Sequence, residues 1–156
     1  MTQTQPAPMD GLAQLRAMVA GVLPTAPIAT TLGMSAFDVP ERGRVRVELV
    51  PDLTRHGNPL GTVHGGVHST LLDTVCGCAV HSTLAPGERY TSLDLTVKFL
   101  RPATDASGVL RAEGTVVQRG RRTALAEGRL TDADGRLVAF ATSTCMIFPA
   151  DDGAAG

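Results

Sequence analysis

From residue 67 to about residue 84 the chain carries an apolar or small residue at nearly every position and no proline. A helix without a wide polar face is normally enclosed by the rest of its fold, so this stretch is the expected centre of the molecule. A shorter pattern precedes it. Leu12, Leu15, Val19, Val22 and Leu23 recur at the 3.6-residue period, Asp10 stands where an N-cap belongs, and Pro24 ends the run. That predicts an amphipathic helix over 10–23. After a proline-rich connection, residues 34–39 and 44–50 read as short strands separated by the turn signal Pro40-Glu41-Arg42-Gly43.

Downstream of the apolar helix the period changes to two. Leu93, Leu95, Val97 and Phe99 alternate with Ser92, Asp94, Thr96 and Lys98, the pattern of a half-buried strand. Three further runs, 108–118, 122–131 and 136–148, follow across the turns Arg119-Gly120-Arg121 and Asp132-Ala133-Asp134-Gly135. The expected architecture is α+β, an antiparallel meander curved around one long helix. Length and composition agree, since 156 residues with 43% hydrophobic content fill one core and not two. The domain is expected over 10–149, with loose, disordered tails at 1–9 and 150–156.

Charge and cysteine usage narrow the functional classes. A formal net charge of -1 with scattered basic residues leaves no electrostatic footprint for nucleic acid or anionic lipid. An aromatic share of 3%, without Trp, offers no base-stacking platform. The first residues lack a signal-peptide pattern, and no apolar run approaches the roughly 20 residues of a membrane span. Cys76, Cys78 and Cys145 form no CxxC pattern, so reduced thiols and a cytoplasmic location are expected.

Candidate chemistry concentrates in residues 58–73, NPLGTVHGGVHSTLLD. A lone Asp73 among Leu, Val and Ala is costly to bury unless something uses or satisfies it. Gly65 and Gly66 let a ligand approach the backbone at the helix start, where the first N–H groups have no internal partner and carry the positive end of the dipole. Plainer roles stand beside these: Asp73 as a cap for a neighbouring loop, and Asn58 as an Asx-turn before Pro59. Arg119, Arg121 and Arg122 are either a solvated turn or a phosphate-binding cluster. His64 and His68 have i, i+4 spacing but lack the Glu of a metalloprotease helix, so no metal is expected. Cys76 has no sequence neighbour that would lower its pKa. His56 and His81 read as ordinary polar residues near element ends. On a helical wheel Ser69, Cys76, Gly77 and Val80 share the side of Asp73, whereas Val67, Leu71, Val75 and Cys78 lie opposite. The small side would leave room beside a carboxylate whose pKa burial raises.

The spacing Asn58, Gly61, His64, Gly65, Gly66, followed seven residues later by Asp73, resembles the hotdog-fold acyl-CoA thioesterases of the phenylacetate-degradation (PaaI-like) type. SLDLTVKFLRPA at 92–103, the VVQRGRR turn and the closing DADGRLVAFATSTCMIF extend the resemblance over roughly residues 25–148. It implies hydrolysis of an acyl-CoA thioester by a homodimer or homotetramer with a sheet continuous across each dimer. It implies no metal and no separate cofactor, CoA being part of the substrate. Carried over by position, Asp73 would be nucleophile or general base, the Gly65 N–H would polarise the carbonyl, and Asn58 would orient water or the carboxylate. His64 would shape the helix entrance, Gly66 would lie beside the substrate, and Ser92 would support the carboxylate. Gly77 stands where some relatives of this type carry a hydroxyl, which makes Ser92 the helper of choice. Arg119, Arg121 and Arg122 would meet the CoA phosphates.

Helix geometry adds a constraint. Gly65 and Asp73 are eight residues apart, about 12 Å along a helix, so one carbonyl cannot lie close to both. The expected site is composite, with Asn58 and Gly65 from one subunit and Asp73 from its partner. Two other readings share the fold: a hydratase for enoyl or β-hydroxyacyl thioesters that uses His64 and Asp73 as a pair, and a non-catalytic acyl-CoA-binding protein.

Overall fold

The structure, a computed structural model, describes residues 8–150. The expected tails at 1–9 and 150–156 fall almost wholly outside the described residues. The elements are α1 (Gly11–Val19), α2 (Pro27–Leu32), β1 (Met34–Glu41), β2 (Arg44–Leu49), α3 (Leu53–His56), α4 (Gly65–His81), β3 (Arg89–Ser92), β4 (Thr96–Phe99), β5 (Leu110–Arg119), β6 (Thr123–Thr131) and β7 (Leu137–Phe148). One seven-stranded antiparallel sheet runs in the order β1-β2-β5-β6-β7-β3, and β4 also pairs with β7. The long helix α4 packs across β2, β5, β6 and β7. This is the α+β hotdog arrangement.

Three expectations need correction. Only β5, β6 and β7 form a meander; β3 and β4 lie at the far edge beside β7, and the chain crosses back to pair β5 with β2. The alternating run 92–99 is not one strand. At Asp94 the side chain takes over the ladder: its Oδ1 accepts the Thr144 N–H at 2.9 Å, and its carbonyl accepts from Ser143 Oγ at 2.8 Å. Pairing resumes at Thr96, two positions later. The proline-rich connection contains α2, with Pro27 in its first turn and Gly33, at φ 72, closing it.

The sheet accepts the helix because two glycines face each other across β5 and β6, in register at Gly114 and Gly128. A Cβ on Gly114 would lie 2.2 Å from the Val75 carbonyl oxygen, and one on Gly128 3.0 Å from Cys76 Sγ. A side chain at Gly114 would push α4 off the sheet, and one at Gly128 would crowd the Cys76 and Leu72 side chains. Leu71, Leu72, Val75, Ala79 and Val80 therefore bury completely, and at about 25 cal/mol per Å² they are the main attachment of α4. At the other end of the helix, Asp10 caps α1 by accepting the Ala13 N–H at 2.8 Å, as its position predicts. The Gly11 N–H then donates to the Leu84 carbonyl, which seats α1 against the C-terminal half of α4.

Candidate functional site

The helix start is built by His64. Its Nδ1 accepts the Gly66 N–H at 2.8 Å, so the ring is an N-cap, and in its neutral form the proton sits on Nε2. A Cβ on Gly66 would sit 2.9 Å from that Nδ1, so a side chain there would displace the capping ring. The Gly65 N–H makes no hydrogen bond among the described residues and remains a free donor. Phe99 of β4 lies over it, 3.0 Å from where a Gly65 Cβ would stand. Asn58 closes the preceding loop: its Oδ1 accepts from the Leu60 and Thr62 N–H groups, and its Nδ2 donates to Thr62 Oγ1 at 2.9 Å. The Asx-turn reading thus describes what Asn58 does within one chain.

Asn58, Gly65 and His68 line one cavity of about 340 Å³ with Thr62, Phe99 and Arg101. His68 is 3% exposed, and neither ring nitrogen has a partner among the described residues. Burial, with the nearby His64, pushes its pKa down to about 4, so the ring is neutral near pH 7. Its i, i+4 relation to His64 is legible in the spacing, whereas this burial is not.

Asp73 lines a different cavity, of about 580 Å³, together with Ser92, Gly77, Thr74, Cys78 and Tyr90. Leu15 and Met18 of α1 and Ile28 of α2 close its apolar end. Asp73 keeps an exposed face, but partial desolvation by the cavity walls raises its pKa above the ordinary carboxylate value. Ser92 Oγ makes only a long contact of 3.9 Å to Cys145 Sγ, which leaves it free to face the cavity. The wheel is right to put Gly77 beside Asp73 and wrong for Cys76 and Val80. Cys76 and Val80 turn into the sheet, while Thr74 and Cys78 line the cavity, because the arc of α4 that meets the sheet is rotated past Asp73. Cys76 is fully buried and its thiol is pushed up to about 12, the state of an inert thiol. His56 bridges α3 and α2 through Asp52 N–H and the Leu32 carbonyl, an ordinary structural role.

The described chain leaves one flank of α4 open, contrary to the enclosure read from its apolar run: His64, Gly66 and Asp73 are exposed, and Ser69, Thr70 and Thr74 are half-buried. The arginine cluster divides. Arg119 donates to Glu88 Oε2 at 2.8 Å and ties the β5–β6 hairpin to the segment before β3. Arg121 and Arg122 are exposed in the turn.

Known proteins share this arrangement. A sequence model of the Thioesterase superfamily matches residues 60–139. A Halobacterium salinarum protein described as an esterase is 35% identical over 129 residues, 77% of this chain and 83% of its own. Acyl-coenzyme A thioesterase 13 of Mus musculus is 32% identical over 88 residues, 54% of this chain and 60% of its own. The crystal structure of a phenylacetic acid degradation-related protein from Ralstonia eutropha JMP134 superposes with a TM-score of 0.76 at 35% identity, covering 85% of this chain and 98% of that one. The hotdog sheet, the helix that opens on His-Gly-Gly and these relatives together make this chain a PaaI-like member of the thioesterase superfamily, a hydrolase of thioesters.

Proposed function

We propose that this protein hydrolyses acyl-CoA thioesters in a site completed by a second copy of the chain. One observation carries the reading: Asp73 and Gly65 sit on the same helix but line separate cavities, with about 12 Å of helix between them. Neither cavity alone holds both a base and an oxyanion donor. The molecule also offers the surface for a partner. The open flank of α4 runs beside the β3/β4 sheet edge, where Leu93, Phe99 and Leu100 are 54%, 57% and 57% exposed. An unpaired edge with bare apolar side chains is a template for a second strand.

In the paired site the Gly65 N–H donates to the thioester oxygen. Asp73 of the other copy takes one proton from a water as that water forms its bond to the carbonyl carbon. Collapse of the tetrahedral intermediate breaks the C–S bond, and the proton passes from Asp73 to the leaving thiolate, which gives the acid and free CoA. The apolar end of the 580 Å³ cavity receives the acyl chain. Arg121 and Arg122 are the exposed guanidinium groups in reach of solvent-borne phosphates. The hydratase alternative would have only Nε2 of His64 for proton transfer, since Nδ1 accepts the Gly66 N–H.

Subunit mixing tests the shared site. Asp73→Asn and a Gly65→Val variant, each inactive, are unfolded together and refolded. Half of the resulting dimers are mixed and each carries one intact site, so about a quarter of wild-type free-thiol release is expected. No recovery in dimers shown to be mixed places both groups within one chain. Release of free thiol also separates hydrolysis from hydration, which leaves the thioester intact, and from binding without turnover.

A further inference from the structure

Gly77 lies one turn beyond Asp73 on α4, and the space beside it is occupied by a phenol. A Cβ at residue 77 would stand 2.9 Å from Tyr90 Oη and 3.4 Å from Tyr90 Cε2. Tyr90 belongs to β3, two residues before Ser92, so the strand sends both side chains to the same face. With Asp73 they line the 580 Å³ cavity. The ring is held in place: His81 meets it edge-on at a centroid distance of 5.7 Å, and His81 Nε2 is hydrogen-bonded to Gln14 Oε1 at 2.8 Å.

The Tyr90 hydroxyl has no hydrogen-bond partner among the described residues, and it is not one of the buried orphaned atoms; it opens on the cavity. Burial, then the neighbouring Cys78, Cys145 and Asp73, hold its pKa above the ordinary phenol value, so it stays protonated. A hydroxyl placed this way is satisfied by what enters the cavity. Its position relative to Asp73 follows from the helix, since residues 73 and 77 are about 6 Å apart along the axis. The two groups form no direct hydrogen bond but line the same cavity, where a water can bridge two polar groups.

We propose that Tyr90 is a positioning residue for the hydrolysis: together with Asp73, its hydroxyl holds the water that attacks the thioester carbonyl. The proposal rests on the reading of Asp73 as general base. The water loses one proton to the carboxylate as its oxygen bonds to carbon, and the phenol fixes its direction without changing its own protonation. Ser92, on the same strand face, lines the same cavity.

Tyr90→Phe removes one oxygen and keeps the ring packing. The measurement is kcat and KM for free-thiol release from an aromatic and a medium-chain acyl-CoA, beside Asp73→Asn. Expected is a fall in kcat of about tenfold with KM held within about twofold on both substrates. Gly77→Ser placed in the Tyr90→Phe background has ordinary contact with the ring and returns a hydroxyl from the helix, so part of kcat is recovered; Gly77→Ala in the same background recovers none. A Tyr90→Phe enzyme with wild-type kcat overturns the proposal. So does a rise in KM with kcat held, which makes the hydroxyl an acyl-group contact, or equal recovery by the alanine, which makes the effect one of packing. An Asp73→Asn enzyme that keeps full turnover removes the reading beneath; an inactive one beside an unimpaired Tyr90→Phe removes this proposal alone.

Discussion

The two sides of α4 obey different rules. Toward the sheet it is packed without residual space: Leu71, Leu72, Val75, Ala79 and Val80 are 0% exposed, and two facing glycines set the distance. On its open flank Gly66 and Asp73 stay exposed, and cover by α1 reaches only the C-terminal half. The first side is governed by volume, where a single methylene is felt. The second is governed by what the chain leaves unpaired: a free N–H at Gly65, a carboxylate at Asp73, and a bare sheet edge. Close packing and unpaired polar groups are thus separated across one helix diameter.

The sharpest way to break this contrast is to remove chemistry from the open side. Asp73→Asn is expected to lower turnover at least about a hundredfold while the fold and its melting temperature persist. Because burial raises the Asp73 pKa, the base form is lost as pH falls through a value above the ordinary carboxylate range, so the acid limb of kcat/KM is expected there. A hundredfold loss accompanied by unfolding would return Asp73 to a structural role. Next comes the edge. Charging it with Leu93→Lys and Phe99→Lys is expected to yield monomers by sedimentation and to leave less than about a tenth of the activity. A fully active monomer would contradict the shared site.

The cavity beside Gly65 is tested through His68, a buried polar ring with no hydrogen-bond partner among the described residues. Its pKa is about 4 in the folded chain against an ordinary 6.5, so the unfolded chain binds the extra proton between those values. Stability is then fully present above about pH 6.5 and is lost as pH falls toward 4, by on the order of 3 kcal/mol. His68→Leu is expected to flatten that slope and to raise stability near pH 7 by about 1 kcal/mol, measured by urea unfolding. An unchanged slope would mean the ring finds a partner. The smallest effects belong to the arginines. Arg119→Gln breaks the tie to Glu88 and should lower Tm by a few degrees with KM unchanged, whereas Arg121→Ala with Arg122→Ala should raise KM for CoA thioesters a few-fold and leave Tm alone. Reversal of the pair would exchange their roles.

Much of this was readable from residue order. The Asp10 cap, the turn at 132–135, the strand pattern of β5, β6 and β7, and the helix entry at His64-Gly65-Gly66 are local features, set by backbone conformations available to a few neighbouring residues. The break at Asp94 was not readable, because it depends on Ser143 and Thr144, which approach only once β7 is in place. Tyr90 was overlooked for the same reason: nothing near it in sequence shows that it fills the space of Gly77.

Sequence alone determined the long helix, the strand runs of β1, β2, β5, β6 and β7 and the helix entry at His64, since period and composition act within a few residues of each position. Tertiary structure alone decided which arc of the helix meets the sheet, that Thr74 and Cys78 rather than Cys76 and Val80 flank the carboxylate, and that Asp73 and Gly65 line separate cavities. Those outcomes turn on close contacts between segments far apart in the chain, such as Gly114 against Val75, and a helical wheel has no term for them.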